Sequence, residues 1–144
     1  MSTRCQIQIE GNKALLYVHS DGYPSGILPL LLPFVERFQK ARGDDPEFLA
    51  GRLIQHLANE SDKHMAEWEA RMKAEGQKGV GSYGERFTGF GVDTDIHGDI
   101  EYLYVVKEGG TVEVRRARGG QTLGKFKVGT SPDAAVKVCE GEDK

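Results

Sequence analysis

The sequence predicts an α+β fold: one domain over residues 1–144, with a mainly antiparallel sheet covered by two helices. Three observations carry this expectation. Period-two alternation of apolar and polar residues marks both ends of the chain, and three- and four-residue spacing marks its middle. Strands and helices do not alternate as βαβ units. A chain of 144 residues is long enough for one real core, and no repeat or second domain is visible.

Each element follows from local chemistry. Gln6-Ile7-Gln8-Ile9-Glu10 alternates strictly, as a half-buried strand does. Gly11-Asn12 is a turn signal, and Ala14 to Val18 reads as the second arm of an N-terminal hairpin. His19 to Pro24 turns the chain. Ser25 is a helix N-cap candidate, Pro29 fits a first turn, and Pro33 implies a kink or a start near Leu32. Gly43 ends that helix. Asp45-Pro46 opens a second one, an N-cap followed by proline. Its apolar stripe runs Leu49, Leu53, Ile54, Leu57, Met65, Trp68, Met72 to about Ala74, with a candidate break at residues 59–62. Ile100 to Val106 is apolar on both faces and reads as a central strand. Thr111–Ala117 and Leu123–Val128 complete the C-terminal strands, with Gly109-Gly110 and Gly119-Gly120 as their turns. Residues from about 130 to 144 are polar and read as a loose tail.

Composition narrows the function classes. A net charge of −3 exerts no general pull toward nucleic acid or anionic membrane. Direct nucleic-acid binding is disfavoured, and the basic strands lack the interleaved aromatics of a single-strand binder. No apolar run reaches the roughly 18–20 residues that span a bilayer, so no membrane association is expected. The N-terminus shows no apolar signal segment, which makes a cytoplasmic location the expectation, in a host cytoplasm if the chain is phage-encoded. Cys5 and Cys139 are too few for a disulfide framework and read as structural thiols, with a Cys5 nucleophile as the alternative.

Chemistry-bearing residues gather in a few places. Gly79 to Gly84 spells G-x-G-x-x-G, but it follows a long helix and precedes a strand, so a flexible loop or a backbone phosphate cradle fits better than a dinucleotide motif. His56, Glu60 and His64 share one strip of the second helix, either as a solvated flank or as a ligand strip. His19 and Asp21 lie beside Tyr23 in the first turn. Asp93, Asp95, His97, Asp99 and Glu101 alternate before the central strand and would share a face if extended. If the two segments are neighbours, histidines and carboxylates meet. Three readings stand: structural turns, a binding site, or a metal or acid–base site. In the last, His19, Asp21, His97 and Asp99 would hold a divalent metal, with Asp95 or Glu101 as general base. No cofactor is otherwise expected. The span 44–75 carries eight acidic and four basic residues, whereas Arg115, Arg116 and Arg118 form a basic rim for an acidic partner or a phosphate ligand such as a nucleotide.

Ser2-Thr3-Arg4, His19-Ser20-Asp21-Gly22-Tyr23-Pro24 and the run from Ile96 to Tyr104 resemble a family of small phage and prophage proteins of unassigned activity. Its members open with S-T-R, carry H-S-D-G-Y-P before a leucine- and proline-rich helix, and later carry an I-H-G-D-I-E-Y-x-Y strand. The resemblance covers residues 2 to about 107. It implies a phage-type accessory protein acting by binding, not catalysis: an inhibitor of a bacterial host or defence protein, in the manner of an anti-CRISPR or similar counter-defence factor. A homodimer is compatible with it. The alternatives are a metal-dependent hydrolase acting on a phosphodiester or nucleotide, and a structural or assembly protein.

Overall fold

The computed structural model describes residues 3–76 and 89–141. The chain forms β1 (Cys5–Ile9), β2 (Leu15–Val18), α1 (Pro24–Arg42), α2 (Pro46–Ala74), β3 (Phe90–Asp93), β4 (Tyr102–Lys107), β5 (Thr111–Arg116), β6 (Thr122–Lys127) and α3 (Pro132–Glu140). One six-stranded sheet runs in the order β3-β2-β1-β4-β5-β6. Among the described residues, only the β1–β4 pairing is parallel; the other four are antiparallel. The α+β expectation holds, and β4 is central as its two apolar faces required.

The helices cover one face. Cys5, Ile7, Ile9, Leu16, Val18, Tyr104 and Val106 point into the main core, where they meet Ile27, Leu28, Leu31, Leu53 and Leu57 of α1 and α2. The opposite face carries Gln6, Gln8, Tyr17 and a small cluster of Leu15, Leu103 and Val105. Residues 94–101, between β3 and β4, pass over this second face. The Gln6 side chain pins them, donating to the Asp95 carbonyl at 3.0 Å and accepting from the His97 N–H at 2.9 Å. Gln6 is therefore fully buried on what the alternation predicts to be a half-wet strand.

Several local expectations need correction. α1 begins at Pro24, not Ser25, and runs unbroken through Pro29 and Pro33. Those prolines sit four residues apart on one side of the helix, Pro29 exposed and Pro33 half-buried. Ser25 does not cap the helix; its own N–H donates to Glu140 of α3 at 2.8 Å. α2 passes residues 59–62 without a break. Most of the expected loose tail is instead the helix α3, the third among the described residues. Ser131 caps it, Pro132 takes the first position, and Ala135 and Cys139 are buried at four-residue spacing. Among the described residues, no helix is long and apolar enough to cross a membrane.

Candidate functional site

The two distinctive segments do meet, through Gly22, Arg4 and Tyr17. Gly22 lies so close to β1 that a Cβ there would sit 2.9 Å from the Cys5 backbone nitrogen. Its N–H donates to the Thr3 carbonyl, and its carbonyl accepts from the buried Tyr104 hydroxyl at 2.7 Å. The last tyrosine of one segment thus anchors the glycine of the other. Gly26 is equally constrained, since a Cβ would fall 2.3 Å from the Asp21 carbonyl oxygen. Asp21 itself adopts φ 59°, a left-handed conformation that aspartate tolerates better than most residues.

A polar cluster lies on the open face of the sheet. His97 pairs with Asp93 at 2.8 Å and packs against the Tyr17 ring, centroids 4.6 Å apart. The Tyr17 hydroxyl donates to Asp99 at 3.1 Å. Burial, then this carboxylate, pushes the Tyr17 phenol above its ordinary value. The His97 hydrogen bond, followed by the Thr94 and Asp95 backbone N–H groups, lowers the Asp93 carboxyl. Arg4 closes the cluster, with its Nε 3.4 Å from His19 Nδ1 and 3.6 Å from Asp99.

This geometry does not assemble the ligand set read from the sequence. A guanidinium stands between His19 and Asp99, where a metal would need to be. Asp21 turns away and accepts from the Tyr23 hydroxyl at 3.2 Å. Asp95 and Glu101 do not join the cluster. Residues 94–101 bend instead of extending, so the five alternating residues share no common face, and both of these side chains are exposed. Among the described residues, no three His, Cys, Asp or Glu side chains gather as metal ligands. Burial pushes the Cys5 thiol far up, and burial followed by Glu140 raises Cys139 to about 11, which suits structural thiols.

The basic rim is divided by strand alternation. Arg115 faces the open side and bonds Glu113, a carboxylate only 5 % exposed. Arg116 faces the other way, its guanidinium 5.7 Å from the centre of the Tyr102 ring. Arg118 lies exposed in the following turn. The three arginines therefore do not form one patch.

A different feature stands out: an open cleft of about 870 Å³ between the head of α1, the second half of α2 and the start of β3. His19, Asp21 and Tyr23 line one wall, and Glu60, His64, Met65 and Trp68 the other. Two residues of the His56–Glu60–His64 strip thus reach it, whereas His56 stacks on Phe34 with centroids 4.7 Å apart. His64 lies 3.8 Å from Glu67. Sequence reasoning missed this cleft because it assigned Met65 and Trp68 to the core stripe. It also passed over Arg4, Gln6 and Tyr17, which look like ordinary outward-facing strand residues. The Gly79–Gly84 motif lies outside the described residues. No protein-family model, no curated protein and no solved structure matches this chain.

Proposed function

We propose that this protein acts by binding another macromolecule through the cleft at the head of α1, as a phage-type accessory protein that blocks a bacterial host or defence protein. One observation carries the binding surface. The apolar stripe of α2 continues past the core: Leu49, Leu53 and Leu57 are buried, but no later residue of the helix is. Trp68 is instead 39 % exposed in the cleft, opposite Tyr23, which is also 39 % exposed. Exposed aromatics in a concave, half-apolar surface are the side chains that dominate protein–protein binding energy. The counter-defence role comes from the resemblance of the His19–Pro24 and Ile96–Tyr104 segments to phage proteins, and from nothing else.

The polar cluster supports this reading by rigidity. Its donors and acceptors bond one another between β2, β3, the 94–101 segment and Arg4, which precedes β1, and Arg4 contacts His19 in the cleft wall. The test is capture of a bacterial protein from lysate by tagged chain, with Trp68→Ala and His97→Ala variants run in parallel. One stoichiometric partner, lost with Trp68→Ala and captured in reduced amount with His97→Ala, is expected. Capture that survives Trp68→Ala would move the binding surface elsewhere.

A further inference from the structure

We infer that the cleft receives a basic and apolar polypeptide segment of the partner, not an anionic ligand; this rests on the binding role proposed above. Three independent observations point the same way.

The first is charge. Among the described residues that line the cleft, Asp21 and Glu60 are carboxylates, and none is lysine or arginine. Beside His19 and His64, a phosphate or carboxylate entering there would meet like charge with no lysine or arginine to pair it, whereas a lysine or arginine would find two acceptors.

The second is the helix terminus. The head of α1 borders the cleft, and a helix N-terminus with unsatisfied N–H groups would ordinarily attract an anion. Here Glu140 already accepts from the Ser25 N–H at 2.8 Å, so α3 fills that position and adds a further negative charge. Tyr23, the N-cap residue, provides no side-chain cap.

The third is the apolar component. Met65, Trp68 and Phe90 line the same cleft as the two carboxylates. Arginine stacks on aromatic faces, and methionine adapts to varied apolar side chains. At about 870 Å³ and open on one side, the cleft suits one or two turns of chain with large side chains better than a fully enclosed small molecule. The Asp21 backbone is fixed in advance by the contact with Gly26, so little ordering is needed there on binding.

The test uses the whole folded chain and a displayed library of random peptides about sixteen residues long, long enough for about four helical turns. Selection is made on wild type, with Trp68→Ala as counter-selection. Trp68 is the one tryptophan of the chain, so its fluorescence then measures the affinity of each selected peptide directly. Enriched peptides are expected to pair lysine or arginine with large apolar residues and to bind less tightly at high salt. Glu60→Gln together with Asp21→Asn should weaken them about tenfold. Asn also tolerates the left-handed conformation at that position, and circular dichroism checks that the variant folds. Enrichment of acidic or uncharged peptides that depend on Trp68 would overturn this inference and leave the binding cleft intact. Peptides that bind wild type and Trp68→Ala equally, or no enrichment at all, would overturn both.

Discussion

Glu113 shows how single residues on the open face are tied to stability. Its carboxylate is almost fully buried, and the Arg115 hydrogen bond is the main reason that its pKa lies below the ordinary glutamate value. A lowered folded pKa means that the stabilisation is complete above the ordinary glutamate range and is lost as pH falls through the folded value. Glu113→Gln should cost about 1–2 kcal/mol at pH 7, after allowing for the partly exposed guanidinium. The gap to wild type should close below about pH 4. Urea unfolding at both pH values measures it; a cost independent of pH would contradict the ion-pair account. Gln6 teaches a related lesson. Its buried amide holds residues 94–101 against the sheet, yet nothing in Gln6-Ile7-Gln8 distinguishes it from a solvated strand residue. Period-two alternation identifies the face a residue is on, not whether a later segment will cover that face.

At the scale of elements, α2 performs two tasks with one stripe. It has 29 residues, or about 43 Å of helix. The sheet has six strands and spans about 24 Å between its outer strand axes, and its strands of up to six residues are about 20 Å long. Such a helix cannot be covered along its whole length, which is why the leucine half is core and the Met65–Trp68 half borders the cleft. Leu53→Ala should therefore cost about 2–5 kcal/mol. Trp68→Ala in the same stripe should cost under about 1 kcal/mol. Chemical denaturation separates them, and equal costs would mean that Trp68 is a core residue. That distinction was readable in principle from helix length against strand length, although residue type alone hid it. α3 was readable too: Ser131-Pro132 repeats the cap-and-proline signal of Asp45-Pro46, but the short polar run that follows masks the burial of Ala135 and Cys139.

For the whole molecule, the sequence was most legible where one pattern sufficed. The N-terminal hairpin, the Asp45-Pro46 helix start and the glycine-marked C-terminal turns all follow from local rules. The parallel β1–β4 pairing did not, because it joins strands some ninety residues apart in sequence and leaves no local mark. It is also what brings the His19 turn and the Ile96–Tyr104 segment together. Their meeting was conditional on strand order, and the order β2-β1-β4 satisfies that condition. The outcome is a bonded wall with Arg4 at its centre. The proposed binding cleft is tested most directly by the fluorescence of Trp68 on addition of the purified captured partner. A blue shift with protection from acrylamide quenching, saturating at one partner per chain, is expected. Unchanged emission and unchanged quenching in a demonstrably formed complex would contradict it.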